Sequence, residues 1–159
     1  MFVYYYIHVE RPFEEVEPAL LRMIPGLRGW AEDAYRDGEH LHTRVGTRGG
    51  ILAKSVEVTA GSPVRGASET WIPIRWEATG APSLFPSLEA DVVAAYVGAS
   101  LTQIALRGTY QAPFGRVGEA LDRALLHRIA EASVKAFVDR IAESIGSDLL
   151  PRVTEGRAR

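Results

Sequence analysis

The sequence predicts an α+β fold, in which a curved antiparallel sheet of six or seven strands is wrapped around one long C-terminal helix. Three observations lead to this prediction. The chain begins with a run of aromatic and β-branched residues, continues over residues 40–111 as short β-type runs separated by turn residues, and then has a proline-free stretch rich in Ala, Leu, Arg and Glu over residues 118–145. Short connections between successive strands imply antiparallel pairing, because parallel strands need long crossovers.

The composition fits one domain and excludes several kinds of site. The chain has 159 residues with 47% hydrophobic content, which is enough to bury a core, and no cysteine, which excludes disulfides, thiolate zinc sites and thiol nucleophiles. A net charge of −2 argues against a nucleic-acid partner, and no apolar run approaches the roughly 20 residues that span a bilayer. We therefore expect a soluble, cytoplasmic single domain over residues 1–150, a flexible tail over residues 151–159, and no metal or other cofactor.

The first predicted strand covers residues 2–9, and period two divides it into two faces. Both faces are apolar or aromatic, which predicts a strand with neighbours on each side. The two sets are Val3, Tyr5, Ile7 and Val9, and Phe2, Tyr4, Tyr6 and His8.

Two short helices are predicted after this strand. Pro12 stands in the first turn of the first helix, where proline is best tolerated, and Pro18 inside the same pattern predicts a kink or a break. The second helix is expected over residues 27–35, with a turn at Asp37–Gly38 after it.

Five strands are predicted to follow, over residues 40–47, 50–59, 70–79, 88–97 and 101–111. The last two form a hairpin whose register can be derived, since their apolar sets share a face only if the numbers of facing residues sum to an even total. A three-residue loop at residues 98–100 satisfies this condition and places Asp91 opposite Arg107 on the outer face. The inner-face residues are then Leu88, Ala90, Val92, Ala94 and Tyr96, facing Thr102, Ile104, Leu106 and Tyr110.

The long helix is predicted to cover the concave face of the sheet only in part. A helix is about 10 Å wide, whereas six strands spaced nearly 5 Å apart form a wider surface. A cavity lined by apolar and aromatic side chains is therefore expected between the sheet and the helix, which is the usual form of a ligand site.

This order of elements resembles the START-related superfamily, which has the helix-grip fold and includes birch-pollen-allergen-like proteins and bacterial polyketide cyclase/dehydrase-like proteins. The local resemblance lies in residues 5–21 (YYIHVERPFEEVEPALL) and within residues 101–145 (LTQIALRGTYQAPFGRVGEALDRALLHRIAEASVKAFVDRI). It implies a central cavity that holds a small apolar or amphipathic molecule. Some members of the superfamily are enzymes, but no catalytic signature carries over to this chain residue by residue.

The candidate site residues come from the predicted inner face and from the long helix. Three residues are candidates for proton transfer: Arg75, Tyr110 and His127. His40 and His42 share a strand face that is expected to point to solvent, so no metal site is predicted there. The predicted ligand-binding residues are Ile74, Trp76, Tyr96, Leu106, Tyr110 and Phe137.

The segment Trp71–Thr79 leaves two orientations open. If Arg75 and Glu77 face inward, they form a charged pair in the cavity; if Trp76 faces inward, it lines an apolar cavity and the charges are solvated. Pro73 cannot donate a hydrogen bond to a neighbouring strand and suggests an edge or a bulge there. The second orientation is favoured.

Three hypotheses remain open: two functions and one mode of self-association. The favoured function is binding of a small hydrophobic molecule by a carrier, sensor or sequestering protein. The alternative is a polyketide cyclase/aromatase-like enzyme that uses one or two polar cavity residues, and two charges converging on the cavity would favour it. A homodimer formed through the sheet is the third option.

Overall fold

The computed structural model describes residues 1–27, 56–78, 87–111 and 123–149, and it has the predicted α+β fold. The predicted helix at residues 28–35, the strand at residues 40–47 and the tail at residues 151–159 lie outside these residues. The described elements, in chain order, are β1 (Phe2–Val9), α1 (Phe13–Arg22), a 3₁₀ helix (Ile24–Gly26), β2 (Val56–Ala60), β3 (Val64–Arg65), β4 (Glu69–Ala78), β5 (Ser87–Gly98), β6 (Leu101–Gln111) and α2 (Arg123–Asp148).

In the described part of the chain, six strands form one curved, unclosed antiparallel sheet. The strand order is β1-β6-β5-β4-β2, and the two-residue strand β3 also pairs with β4. The first strand therefore pairs with the last one, with Phe2 opposite Thr109 and Val9 opposite Thr102. The strands β1, β6, β5 and β4 keep one register up to a shift near Gly98, and this register positions the inner face for the site described below.

Strand β1 lies at the edge of the described sheet, and one of its two faces is exposed, although both faces were predicted to be covered. One of its faces is directed at the core, as Val3 shows by being 4% exposed. The other face is open to solvent, since Phe2, Tyr4 and Tyr6 are all exposed. Aromatic residues favour strands whether or not a second layer covers them. The composition of β1 therefore predicted a strand correctly but not which of its faces is covered.

The hairpin of β5 and β6 has the predicted register over most of its length. Asp91 faces Arg107, and Arg107 Nε lies 3.5 Å from Asp91 Oδ2 on the outer face. The loop differs from the prediction, because a register shift between Tyr96 and Gly98 shortens the turn to two residues, Ala99 and Ser100.

Helix α1 continues through Pro18, so the predicted break does not occur. Proline removes the hydrogen bond to the carbonyl four residues earlier, which here belongs to the exposed residue Glu14. Water can reach that carbonyl, which limits the cost of the missing bond.

The long helix α2 packs mainly on β1 and also contacts β6 and α1, while α1 lies against β5 and β6. Within the described residues, no helix is long and apolar enough to cross a membrane. The largest fully buried side chains of the core come from both helices and from the inner face of the sheet: Leu20, Leu27, Ile72, Ile104, Leu106, Phe137, Ile141 and Ile145.

Candidate functional site

The inner face of the sheet is organised in rows that run across the strands. One row runs from Val58 on β2 through Trp76 and Leu88 to Tyr110 on β6. Trp76, Leu88 and Tyr110 are all buried. Because side chains alternate between the faces of a strand, this row places two aromatic side chains on the side of the sheet where α2 lies.

Helix α2 reaches this row through Phe137, which is fully buried. The Phe137 and Trp76 rings meet edge to face, with centroids 5.8 Å apart and an interplanar angle of 66°. Such a contact is a favourable aromatic geometry. The pair connects α2 to β4 across the concave side and confirms that Trp76, and not Arg75, faces the core.

The next row along the inner face is built from small residues. It runs from Ala60 through Ile74 and Ala90 to Gly108, and ends at Val3 on β1. At Gly108 the two strands approach closely, since a Cβ there would lie 2.3 Å from the Cβ of Ala90 and 2.4 Å from the carbonyl oxygen of Glu89. This close approach of β5 and β6 requires glycine at position 108.

Tyr110 brings a hydroxyl group into this apolar surface. Its backbone is fixed by two 2.7 Å hydrogen bonds with Met1, one in each direction. The hydroxyl is buried and has no hydrogen-bond partner among the described residues. Burial raises the pKa of the Tyr110 phenol, so the group stays protonated at all ordinary pH values and can donate a hydrogen bond.

Helix α2 also carries a buried hydroxyl that lacks a hydrogen-bond partner among the described residues. Ser133 is buried, and its Oγ also lacks a partner in the described part of the chain. Ser133 lies one helical turn before Phe137, on the same side of α2. A buried polar group without a partner costs about 1–3 kcal/mol, so two such groups on facing elements are unusual in a finished core.

The other predicted site residues are placed as follows. Ile74 and Leu106 are buried on the inner face, as predicted. Tyr96 is not part of the core: it lies beside the register shift of β5, and its side chain is 49% exposed. The side chain of His127 lies outside the described residues.

Arg75 and Glu77 lie on the outer face, in the orientation that the sequence favoured. Arg75 Nε donates a 2.7 Å hydrogen bond to Glu77 Oε1, and Arg75 Nη1 lies 3.8 Å from Glu89 Oε1. The Arg75 side chain is 61% exposed. Arg75 is therefore ruled out as a catalytic residue of the inner site, and the charged pair expected for an enzyme does not converge there.

One buried charged cluster was missed by the sequence reading. Glu17 of α1 is 8% exposed and accepts two 2.8 Å hydrogen bonds from the Arg65 guanidinium and one of 2.6 Å from Thr70 Oγ1. The hydrogen bonds from Arg65 hold the pKa of the Glu17 carboxyl below its usual range, against the opposing effect of burial. The signal was present in the sequence, because helical spacing places Glu17 on the same face as Phe13 and Leu20.

Two open grooves are bordered by described residues, and the second of them adjoins α2. One, of about 690 Å³, lies on the outer face, where Arg75, Glu89, Asp91 and Arg107 surround Pro73. The other, of about 380 Å³, runs between β1 and α2. The predicted cavity between the sheet and α2 stays a prediction.

The comparisons with known proteins agree on the class of fold, a helix-grip α+β protein. No family model and no curated protein matches the sequence. Among solved structures, a conserved protein of Geobacillus kaustophilus is 15% identical, with 93% of this chain and 97% of that one covered and a TM-score of 0.56. A hypothetical protein of Helicobacter pylori is 12% identical, with 90% and 86% covered and a TM-score of 0.51.

A third solved structure, the Zhui aromatase/cyclase of Streptomyces sp. R1128, is 16% identical, covers 92% of this chain and 93% of its own, and has a TM-score of 0.48. At such identities a likeness concerns the fold alone. The chain has the helix-grip fold that its order of elements predicted.

Proposed function

We propose that this protein binds a small, mostly apolar molecule between the inner face of the sheet and α2. The Tyr110 hydroxyl is the observation that carries the proposal. It is buried, uncharged and without a partner in the described residues, and it lies in the same row as Trp76. A bound molecule with an oxygen acceptor would satisfy this hydroxyl and remove the cost of leaving it unpaired.

The surroundings of Tyr110 support an apolar occupant. Trp76, Leu88 and Phe137 provide aromatic and aliphatic surface, and ligand sites typically combine such a lining with a few polar groups that fix orientation. Ser133 offers a second hydroxyl from the helix side.

The same observations favour binding over catalysis. An enzyme of the cyclase kind would need a group of suitable pKa facing its substrate. Arg75 faces away from this side of the sheet, and the raised pKa of Tyr110 makes its phenol a poor base near neutral pH. A hydrogen-bond donor of fixed position is what a binding site needs.

The test uses two probes of the same shape, acetylnaphthalene and isopropenylnaphthalene, which differ in a carbonyl oxygen in place of a methylene group. Calorimetric titration of the wild-type protein should give affinities about tenfold higher for the ketone. Tyr110→Phe should abolish this preference while leaving the affinity for the hydrocarbon unchanged. Since it removes an unpaired hydroxyl, it should leave the unfolding free energy of the ligand-free protein unchanged or raise it.

Tyr96→Phe is the matched control, because it removes the same group from an exposed tyrosine on β5. It should alter neither affinity. Absence of binding of both probes would contradict the proposed function itself. Binding with equal preference in wild-type protein and Tyr110→Phe would show that Tyr110 does not contact the ligand.

A further inference from the structure

One edge of β1 presents backbone groups that no described strand pairs with. Met1 and Tyr110 each donate a backbone hydrogen bond to the other. In an antiparallel pair such mutual bonding recurs at every second residue, so Val3 and Gly108 bond in the same way, as do the later alternate pairs. The N–H and C=O groups of Phe2, Tyr4, Tyr6 and His8 therefore point away from β6. Within the described residues, no strand pairs with this edge.

The side chains of the same residues form an exposed aromatic stripe on the outer face. Phe2 is 68% exposed, Tyr4 50% and Tyr6 48%. The Tyr4 and Tyr6 ring centroids are 5.8 Å apart, and those of Tyr6 and His8 are 5.4 Å apart. An edge strand with open backbone groups and apolar side chains is a template for pairing with another strand, and natural edges normally carry charges or prolines that prevent it.

We propose that a second copy of this chain occupies the edge, through antiparallel pairing of the two β1 strands around a twofold axis at Tyr5. Only the register centred there places all four outward-facing residues opposite one another: Tyr4 beside Tyr6 of the other copy, and Phe2 beside His8. These are hydrogen-bonded pairs, and their side chains lie on one face, where aromatic cross-strand pairs are stabilising.

The charges next to the axis are complementary under this symmetry. Tyr5 donates a 3.1 Å hydrogen bond to Asp139 of α2, Lys135 forms an ion pair with the same carboxylate, and the Lys135 ammonium lies 5.4 Å from the centre of the Tyr5 ring. The Lys135–Asp139 pair is thus at the level of the axis. The twofold rotation places the Lys135–Asp139 ion pairs of the two copies side by side and antiparallel. Each ammonium group then lies near the carboxylate of the other copy.

The inner side of β1 is also open next to this edge. A groove of about 380 Å³ separates residues 2–5 of β1 from α2, where Arg128, Glu131 and Lys135 line it. The three exposed aromatic side chains contribute roughly 300 Å² per copy, less than half of the ~800 Å² per partner in a typical stable interface. The backbone of β1 and the rim of α2 add to this area without completing it, so the dimer is expected to be weak, with a dissociation constant of about 1–100 µM.

Sedimentation analysis of the purified protein from ~1 µM to ~1 mM tests the association. The mass should rise from the 17.4 kDa monomer toward twice that value over this range. Tyr4→Lys, which places an ammonium group of each copy next to the axis, should weaken association at least tenfold. Tyr96→Lys is the matched control, since Tyr96 is equally exposed at the distant end of β5, and it should leave association unchanged.

A monomer at ~1 mM would overturn the proposal, as would equal losses in Tyr4→Lys and Tyr96→Lys. Circular dichroism and thermal melting of dilute Tyr4→Lys would show whether its monomer is folded. If that variant fails to fold, the cysteine variants below decide the question by themselves.

The absence of cysteine from the chain makes the register testable by cross-linking. Under mild oxidation, a mixture of Tyr4→Cys and Tyr6→Cys should form disulfide-linked dimers, because hydrogen-bonded pairs have Cα atoms about 5.5 Å apart, within the range for a disulfide. Each variant alone should cross-link much more slowly. Faster cross-linking of either variant with itself, or no preference for the mixture, would overturn the axis at Tyr5.

Discussion

The inner and outer faces of the sheet both carry aromatic side chains, but they differ in what surrounds them. On the inner face, Trp76 and Tyr110 lie under helical cover, and Phe137 packs against Trp76. On the outer face, Tyr4 and Tyr6 contact each other and water. Aromatic content is therefore a guide to strand formation here, while the second layer of structure decides which side chains contribute to the core.

The same contrast holds for charged groups. On the outer face, Arg75 pairs with Glu77 on its own strand, Arg107 pairs with Asp91 on the neighbouring strand, and both arginines are largely exposed. On α1, by contrast, the buried Glu17 carboxylate has all of its described partners within 2.8 Å. Ion pairs in water contribute little to stability, whereas removal of one partner from a buried set leaves a group unpaired.

The largest difference between the faces should come from truncating an aromatic residue. Phe137→Ala removes a fully buried ring that packs against Trp76, and should lower the free energy of unfolding by about 3–5 kcal/mol. Tyr6→Ala on the outer face should change it by about 0.5 kcal/mol or less. Urea unfolding of both variants at low micromolar concentration, where monomers dominate, measures this; similar losses would mean that the outer face is covered in solution.

A smaller effect is expected from Glu17→Gln. The variant keeps the shape of the side chain but weakens its hydrogen bonds to Arg65 and Thr70, and should cost about 1–2 kcal/mol at pH 7. Glu14→Gln, an exposed change in the same helix, should have little effect.

The pH dependence of stability tests the charge of Glu17 directly. Because the pKa of Glu17 is lowered in the folded state from the ordinary 4.5, its contribution is complete above that value and is lost as the pH falls through the folded pKa. The stability difference between wild-type protein and Glu17→Gln should therefore shrink on acidification. A difference that stays constant between pH 7 and pH 3 would contradict the lowered pKa.

The smallest effect should be found at the Asp91–Arg107 pair. A double-mutant cycle with Asp91→Asn and Arg107→Gln should give a coupling free energy of about 0.2–1 kcal/mol, since both side chains are partly in water. In ~1 M salt, where the screening length is about 3 Å, the coupling should fall toward zero. A coupling above 2 kcal/mol that resists salt would show that this part of the outer face is desolvated.

Much of the inner face could be predicted from the sequence, because the alternation of apolar residues on β5 and β6 fixes both the register and the facing. The pairing of Asp91 with Arg107 follows from the same alternation. The inward direction of Trp76 on β4 was favoured by the sequence but not fixed by it, and the structure places Trp76 in the core. The cavity residue Tyr96 was misplaced because the register shift next to it comes from turn geometry, which period two does not encode.

The edge position of β1 and the partner of Glu17 could not be predicted from local patterns. Pairing of β1 with β6 joins distant parts of the chain, and the residues next to each strand do not indicate it. Strand β3 has two residues, too few to show a period. Helical spacing places Glu17 on the buried face of α1, but its partner Arg65 lies 48 positions later, on β3.

The pairing of the first strand with the last one has a consequence for how the chain is made. Met1 and Tyr110 are 109 positions apart, and at synthesis rates of about 5–20 residues per second β1 leaves the ribosome roughly 5–20 s before β6 exists to cover it. During that interval an aromatic, uncharged segment has both of its edges open, which is the composition that aggregates. We therefore expect nascent-chain chaperones to bind this protein mainly at its first ten residues. Slower growth at low temperature should not remove the need for these chaperones.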